Sequence, residues 1–271
     1  MLDSFEGPYL EVERNGKLRT VDTYKEDGDY IIFTFNNIAP QTLGDVATAT
    51  LYAKKDGTLY GSKSVSLSIK DYAYRMLEMY GSEENAKLRT LMVDLLNYGS
   101  SAQTYHNYKA NDLVNADLTD VQKAWASTKA AEWSNIIDTK YETVTEPIAT
   151  WKSAALILDN AVTIRYKFAA DDISGFTIKL KYGTIEKNYD QRDITDNGDG
   201  TYSFKFSGLY AHQMREPVYI TIYKNGNAVS NTLRYSVESY AAQVVASTPD
   251  SPLRALTDSM MLYGISAANY A

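Results

Sequence analysis

Residues 88–105 read LRTLMVDLLNYGSSAQTY, and residues 253–270 read LRALTDSMMLYGISAANY. The two segments align without a gap and share an arginine, a glycine and two tyrosines at matching positions. In both, apolar residues recur at intervals of three and four, which is typical of a helix with one apolar face. The chain therefore contains the same helix twice.

The similarity extends upstream of this helix. SIKDYA at 68–73 matches SVESYA at 236–241, and DGDY at 27–30 matches DGTY at 199–202. The matches keep their order over roughly 80 residues, which is the signature of an internal repeat. We interpret the chain as a tandem duplication of a module that begins with strands and ends with two helices.

The strands are clearest in the second copy. Segments such as FTIKLKYG at 176–183 and VYITIYKNG at 218–226 alternate apolar and polar residues, as half-buried strands do. NGDG at 197–200 and NG at 225–226 favour tight hairpins, because these residues tolerate positive φ. Short strands at this spacing suggest an immunoglobulin-like β-sandwich. The first copy has no counterpart of 154–169, so its sandwich is either trimmed or closed by another segment.

The helical pair carries its own signals. Ser68 and Ser236 are candidate N-caps. Gly99 and Gly264 lie inside the second helix, where glycine costs about 1 kcal/mol relative to alanine. Because both copies accept this cost, we expect a close backbone approach there. The apolar stripe is predicted to comprise Leu88, Leu91, Leu95, Tyr98, Ala102 and Tyr105, and in the second copy Leu253, Leu256, Met260, Tyr263, Ala267 and Tyr270.

Residues 110–150 occur once. Thr119 and Gln122 form a capping pattern that predicts a helix over 120–138, followed by an extended linker containing Pro147. The predicted domains are a first lobe at 1–110, a connector helix and linker at 111–148, and a second lobe at 149–271. The predicted fold class is α+β, mainly β, with each lobe a β-sandwich followed by a helical hairpin.

Composition narrows the function. The chain has 27 basic and 34 acidic residues, a net charge of −7, and no basic cluster, so we expect no nucleic-acid partner. No apolar run is long enough to span a bilayer, no basic amphipathic helix would lie on one, and the start, MLDS, predicts no signal peptide. The chain contains no cysteine, which excludes thiolate zinc sites and cysteine nucleophiles.

Catalytic motifs are absent from the sequence. His106 and His212 have no second histidine at ligand spacing, and no nucleophile elbow or phosphate-binding loop occurs. The acidic run from Asp193 to Asp199 lacks calcium-loop spacing and indicates a hairpin turn. A pair of carboxylates could serve a glycosidase, yet a duplicated small module favours binding. We therefore expect no enzyme activity, no cofactor and no metal site.

The aromatic content is dominated by tyrosine, with 23 Tyr against 7 Phe and 3 Trp. Tyrosine and tryptophan combine a flat apolar face with a polar edge, which suits partly polar ligands such as sugars. On one helix Trp125 and Trp133 would lie about 80° apart, so they could not share one narrow core face. Aromatic residues outside the repeated stripes are the predicted ligand-binding set: Trp125, Trp133, Trp151, Tyr141, Tyr182 and Tyr210. The alternative is that the tryptophans only fix the connector to the lobes.

SIKDYAYRMLE at 68–78 and LRTLMVDLLNYGSSAQTYHNY at 88–108 resemble a module of exported and cell-surface proteins of clostridial gut anaerobes. The tandem pair resembles the bilobed starch-adherence domain of amylosome proteins. The likeness covers 27–109 and 199–271. It implies a non-catalytic α-1,4-glucan-binding domain with a groove between or across the lobes. It transfers no contact residues, since the shared motif carries the fold.

We therefore expect a monomeric starch-binding module, extracellular or at the cell surface, that recognises maltooligosaccharides by aromatic stacking. Its partners would be an α-glucan polysaccharide and the other domains of a longer surface protein. Two alternatives stay open, namely a structural or protein-adhesive surface module and a glycan-active enzyme.

Overall fold

A computed structural model describes residues 5–36, 38–128, 132–158, 162–248 and 250–271. Of these residues 38% are in strands and 30% in helices, and the strands form several antiparallel sheets, so the fold is α+β with more strand than helix. The chain divides into two compact units, Met1–Trp125 and Ala126–Ala271. The boundary lies inside the stretch 111–148 that the sequence assigns to the connector.

Seven strands occur in the described part of the first unit. They are β1 (Glu6–Arg14), β2 (Lys17–Val21), β3 (Tyr24–Asp27), β4 (Tyr30–Phe33), β5 (Ala47–Lys55), β6 (Thr58–Gly61) and β7 (Val65–Leu67). One sheet has the order β2-β1-β5-β6, with β7 also paired to β5. Strands β3 and β4 form a separate antiparallel hairpin.

The helices of this unit are α1 (Ile69–Met79), α2 (Ala86–His106) and the short α3 (Asp120–Lys123). Helix α1 begins with a capping box in which Ser68 and Asp71 exchange hydrogen bonds, which confirms Ser68 as the N-cap. Helix α2 packs on a 3₁₀ turn, Pro40–Thr42. A methyl group at Gly99 would lie 3.2 Å from the carbonyl oxygen of Pro40 and 2.7 Å from Leu43 Cδ1. The expected close approach is therefore confirmed.

The same turn region is fixed by a buried carboxylate. Asp45, 4% exposed, accepts hydrogen bonds from Asn15 (2.6 Å), Tyr108 (2.8 Å) and Lys109 (2.7 Å). Burial alone would raise the pKa of Asp45, but hydrogen bonds from Lys109, Asn15 and Tyr108 outweigh it and hold that pKa below its usual value. Asp45 thus ties β1 and the end of α2 to the start of β5.

The second unit contains ten strands among its described residues. They are β8 (Asp138–Glu142), β9 (Ala149–Leu158), β10 (Val162–Ala170), β11 (Phe176–Tyr182), β12 (Ile185–Asp190), β13 (Ile194–Asp196), β14 (Thr201–Ser207), β15 (Val218–Lys224), β16 (Asn227–Ala228) and β17 (Thr232–Tyr235). One sheet has the order β13-β14-β10-β9, and the other has the order β12-β11-β15-β17-β8, with β16 paired to β15. Together they are β-sandwich-like.

Buried and more exposed residues alternate along each strand, so the apolar side chains of both sheets lie on one face and form the core. Tyr166 and Phe168 of β10, and Phe204 and Phe206 of β14, are at most 1% exposed. Alternate positions of β11 and β15 are also fully buried, namely Ile178, Leu180, Val218, Ile220 and Ile222. Burying these side chains is worth about 1.5–3 kcal/mol each, so this set contributes strongly to the stability of the unit.

The second unit ends in helices α4 (Val237–Ser247) and α5 (Pro252–Tyr270). Ser236 caps α4 by accepting a hydrogen bond from the Ser239 amide, as the sequence predicts. A methyl group at Gly264 would lie 3.1 Å from the carbonyl oxygen of Ala211, which opens a second 3₁₀ turn, Ala211–Gln213. Each unit therefore places a helix glycine against the backbone of a 3₁₀ turn. Within the described residues, no helix is both long and apolar enough to cross a bilayer.

Several sequence expectations are confirmed. The hairpin at 225–226 has positive φ at Asn225 and Gly226, and the turn at 197–200 has positive φ at both of its glycines. The capping pattern at 119–122 is present, since Thr119 and Gln122 exchange backbone and side-chain hydrogen bonds. The predicted helix over 120–138 is wrong, however, because α3 ends at Lys123 and a strand begins at Asp138; residues 129–131 lie outside the described residues.

The linker and stripe expectations also need correction. Residues 138–142 are not a free linker, because β8 pairs with β17. The stripe predicted for α2 is only partly buried and its last member, Tyr105, is 40% exposed. Of the predicted stripe, Ala102 is fully buried as expected. The helix turns Gly99 inward, and its buried residues are Arg89, Met92, Val93, Asp94, Leu96, Gly99, Ser100, Ala102 and Gln103. In the second copy Leu256 and Met260 are buried as predicted, while Tyr270 is exposed.

We expect Gly99→Ala to lower the free energy of unfolding. Helix propensity would gain about 1 kcal/mol. The new methyl group would however collide with Leu43 and Val114 and lie close to the Pro40 carbonyl, and such overpacking costs about 1–3 kcal/mol. Urea denaturation followed by circular dichroism measures the change. Lys87→Ala, at an exposed position of the same helix, is the control and should stay within about 0.5 kcal/mol of the wild type. A stabilised Gly99→Ala protein would contradict the close approach.

The lowered pKa of Asp45 predicts that the first unit loses stability in acid. A carboxylate whose pKa is lower when folded stabilises the fold above its unfolded pKa of about 3.9, and that stability is lost as pH falls through the folded pKa. Asp45→Asn should cost about 1–3 kcal/mol near neutral pH, because hydrogen bonds to a charged acceptor are lost. Between about pH 5 and pH 3 the wild type should lose more stability than this variant. Parallel curves for the two proteins would show that Asp45 does not carry the effect.

Candidate functional site

Trp125 packs against the first unit. The Arg89 guanidinium lies 4.5 Å from the centre of its indole ring, and Arg89 also donates hydrogen bonds to the Gly81 carbonyl and to Glu83. Trp125 is half-buried and Arg89 is 5% exposed. The indole face that a sugar would need is therefore partly occupied by a cation.

Trp133 packs against the second unit in a related way. It is 6% exposed, and its indole N–H donates to Asp258 of α5 at 2.8 Å. Asp258 also lies near Arg254, the repeat counterpart of Arg89. Each of these tryptophans thus reaches the neighbourhood of the same repeated arginine in its own unit. This arrangement agrees with the alternative in which the tryptophans fix the connector.

Trp151 and Tyr182 belong to the core of the second unit. Trp151 is 7% exposed, donates its indole N–H to the Asn231 carbonyl at 2.7 Å, and packs edge-on against Tyr166. Tyr182 is 2% exposed and its ring contacts Phe206. Both point inward because they alternate with outward-facing residues along β9 and β11. Together with Trp133, they cannot offer an open ring face to a sugar in this structure.

The other two predicted residues are exposed. Tyr210 is 68% exposed and stacks on His212, with ring centres 5.8 Å apart. Tyr141 of β8 is 44% exposed and contacts the ring of Tyr219 at 4.9 Å, while the Arg234 guanidinium lies 5.2 Å from its ring centre. Tyr141 is therefore part of a larger cluster, and Tyr210 pairs with a single histidine.

That cluster lies on the outer face of the six-stranded sheet, which we call the tyrosine face. Registers place Tyr219 between Lys181 of β11 and Arg234 of β17, and Tyr223 lies four residues along β15. At about 3.3 Å per residue, the two tyrosines of β15 are about 13 Å apart. The tyrosine face is defined by Tyr141, Tyr219, Tyr223, Lys179, Lys181 and Arg234.

Polar groups surround the rings of this face. Lys179 Nζ lies 5.5 Å from the ring centre of Tyr223 and 3.2 Å from Glu186. Desolvation and a hydrogen bond with Tyr141 raise the pKa of the Tyr219 hydroxyl, so it remains a neutral donor at physiological pH. Partly exposed rings beside ammonium, guanidinium and carboxylate groups can both stack on a sugar and bind its hydroxyls.

Sequence reasoning missed Tyr219 and Tyr223, although the signal was present. In VYITIYK at 218–224, the residues Val218, Ile220 and Ile222 are fully buried, which leaves the tyrosines on the opposite face. The period-2 pattern that predicts the strand therefore also places Tyr219 and Tyr223 on one face. Tyr141 could not be placed there because its segment was interpreted as a linker.

A concave feature also occurs in the second unit. It is a cavity of about 760 Å³, whose lining includes Thr150, Asp171, Asp172, Tyr202 and Lys224. Hydrogen bonds from Ser174 and Lys224 lower the pKa of Asp172 to about 2. The Tyr202 ring stacks on Phe168, with centres 5.7 Å apart. This cavity is polar and offers one ring, whereas the tyrosine face offers three.

The described parts of the chain contain no group of three or more His, Asp and Glu side chains that could hold a metal ion. His106 and His212 are exposed, and each contacts a neighbouring tyrosine ring.

No family model matches the chain, and no curated protein matches it. Among the solved structures that match, two show how limited the similarity is. The tandem C2 domains of Extended-Synaptotagmin 2 have a TM-score of 0.24 at 8% identity, covering 94% of this chain and 74% of that chain. MHC-like MILL2 has a TM-score of 0.22 at 11% identity, covering 84% of this chain and 99% of that chain. TM-scores this low do not identify a shared fold.

We expect Trp151→Ala to destabilise the second unit by about 3–5 kcal/mol, because it empties a core position beside Tyr166 and Phe168. Tyr210→Ala, at an exposed position, should change the free energy of unfolding by about 0.5 kcal/mol or less. Thermal and urea denaturation measure both. If Trp151→Ala were as stable as Tyr210→Ala, Trp151 would not be a core residue.

Proposed function

We propose that the chain is a non-catalytic carbohydrate-binding module that recognises α-1,4-glucan, as in starch, on the tyrosine face of the second unit. The observation that carries the proposal is the row of rings on one sheet face, with Tyr141 and Tyr219 in contact and Tyr223 further along β15. Flat sheet surfaces carrying rings and hydrogen-bonding groups suit a polymer that lies across several strands.

Recognition would combine two contacts. Sugar C–H faces would stack on the exposed parts of the tyrosine rings, and Lys181, Arg234 and the tyrosine hydroxyls would bind sugar hydroxyls. Aromatic contacts are worth about 1 kcal/mol each, whereas micromolar affinity needs about 8 kcal/mol. Several rings and polar groups must therefore act together, which favours oligosaccharides over single sugars.

The domain arrangement belongs to the same proposal. We infer that both units are copies of one module, an immunoglobulin-like β-sandwich followed by a helical pair, as the resemblance to starch-adherence domains implies. The order of elements supports this, since both units contain a 3₁₀ turn, then a strand and its partners, and then two long helices, which are α1 and α2 in the first unit and α4 and α5 in the second. Such a module would be monomeric, would belong to a longer protein outside the cell or at its surface, and would bind neither nucleic acid nor membrane.

A structural or protein-adhesive surface module is the second candidate function. The burial of Trp133, Trp151 and Tyr182 favours it, because half of the rings expected to stack on sugar serve the core instead. Under this alternative, replacing the outward tyrosines would leave stability unchanged, and neither the wild type nor the variants would bind glucan.

The test is isothermal titration calorimetry with maltoheptaose. The wild type should bind, and Tyr141→Ala and Tyr219→Ala should each weaken binding about fivefold, corresponding to about 1 kcal/mol. Thermal denaturation should show both variants folded.

Tyr210→Ala is the matched control, because Tyr210 is an exposed tyrosine outside the tyrosine face, and its affinity should equal that of the wild type. Absence of heat together with an unchanged mobility on a starch-containing native gel would reject glucan binding. If Tyr202→Ala were the only variant to lose binding, the glucan site would be the cavity that Tyr202 lines and not the tyrosine face.

A further inference from the structure

The two units differ in how their strands are covered. In the second unit, β14 pairs with β13 on one side and with β10 on the other, and β10 pairs with β9. In the first unit, the hairpin β3–β4 stands alone, since among the described residues β4 pairs only with β3. One edge of β4 is therefore open.

The registers show which strands correspond. Leu10 faces Leu51 across β1 and β5, as Ile178 faces Ile222 across β11 and β15. Counting back from the two 3₁₀ turns, Phe33 and Phe35 correspond to Phe204 and Phe206. By this correspondence β4 is the counterpart of β14, and the first unit has no described counterpart of β9 and β10. The comparison rests on the proposed tandem module.

Residues of the first unit are more exposed than their counterparts in the second unit, as expected if a layer of strands is missing. Phe204 and Phe206 are each 1% exposed, whereas Phe33 and Phe35 are only partly buried. Ile220 and Ile222 are completely buried, while their counterparts Ala49 and Leu51 are partly exposed. The inward faces of the first unit thus lack the layer that seals those of the second.

Further apolar side chains of the hairpin are exposed, two on β4 and one on β3. Tyr30 is 76% exposed, Ile32 43% and Tyr24 39%. A cavity of about 560 Å³ lies beside the hairpin, with Val21 and Phe35 in its lining. Clustered apolar surface next to an unpaired strand edge is typical of a site that binds another strand.

Charge indicates what kind of strand would fit. In the second unit, Lys167 of β10 forms an ion pair with Asp199 in the turn before β14, at 3.2 Å. The matching turn of the first unit carries Asp27 and Asp29, which have no ion pair among the described residues. An incoming strand with a basic residue at the position of Lys167 would complete the same pair.

We propose that the first unit is completed by a β-hairpin of a partner polypeptide, which adds to the open edge of β4. Its inward face would carry alternating apolar and aromatic residues, as Trp151, Tyr166 and Phe168 do in β9 and β10. Its outer face would be basic and would pair with Asp27 or Asp29. The complex would be β-augmentation, in which main-chain hydrogen bonds supply affinity and side-chain pockets supply register.

The probe is a fluorescein-labelled peptide with the sequence of residues 149–170, ATWKSAALILDNAVTIRYKFAA, titrated into the full chain. Fluorescence anisotropy should show saturable binding at one peptide per chain. Hydrogen exchange should show new protection of residues 30–36 and none elsewhere. A control peptide with Tyr166→Lys and Phe168→Lys keeps the length and should not bind.

A charge exchange tests the register. The Lys167→Glu peptide should bind about two- to fivefold more weakly, as expected for a partly exposed ion pair, and Asp27→Lys in the chain should restore its affinity. Asp199→Lys is the matched control, because Asp199 already has its partner in the second unit, and it should not restore binding.

Three outcomes would overturn the proposal. The first is no saturable binding. The second is protection in the second unit, which would mean that the peptide exchanges with β9 and β10. The third is a chain that sediments as a dimer with residues 30–36 already protected, which would make a second copy the occupant. None of these outcomes depends on glucan binding, which maltoheptaose calorimetry tests separately.

Discussion

Each unit depends on the contact between one helix and one turn, at a distance that leaves little room for a side chain larger than that of glycine. Gly99 of α2 lies against the Pro40 carbonyl, and Gly264 of α5 lies against the Ala211 carbonyl. A methyl group at either point would require the helix or the turn to shift. Because the helix is held so close, its orientation is set by the glycine, and the residues that become buried are those on the glycine's side.

This constraint explains what the sequence could and could not predict. Local signals sufficed for the caps at Ser68 and Ser236 and for the turns, since these depend on side chains within a few residues. The apolar stripe predicted for α2 is correct at Ala102 and wrong at Tyr105, and its other members are only half-buried. It was derived from side-chain hydrophobicity, which gives glycine no weight. The helix expected over 120–138 was wrong because it extrapolated one good capping box, whereas α3 ends at Lys123 and Trp125 packs on Arg89.

The candidate site was predicted in part for a related reason. The residue types indicated that aromatic side chains would bind the ligand. Only burial, however, distinguishes the aromatic residues of the core from those that face outward. Trp151 and Tyr182 alternate inward on their strands, and Tyr141 faces outward only because β8 joins the sheet. Tyr219 follows from the alternation of β15, so that member of the tyrosine face was within reach of the sequence. Which strand lies beside β17 was not, because that pairing joins segments about 90 residues apart.

Strand β8 has a practical consequence for dissecting the protein. It precedes the other strands of the second unit in the chain, yet it pairs with the edge of β17. Thr232 of β17 also donates a hydrogen bond to Glu142 of β8. The indole of Trp133, also upstream, is anchored on α5 through Asp258. A fragment that begins at residue 149 would therefore lack β8 and Trp133. It would leave the edge of β17 unpaired and Asp258 of α5 without the indole hydrogen bond. An expression boundary placed at 126 keeps both in the fragment.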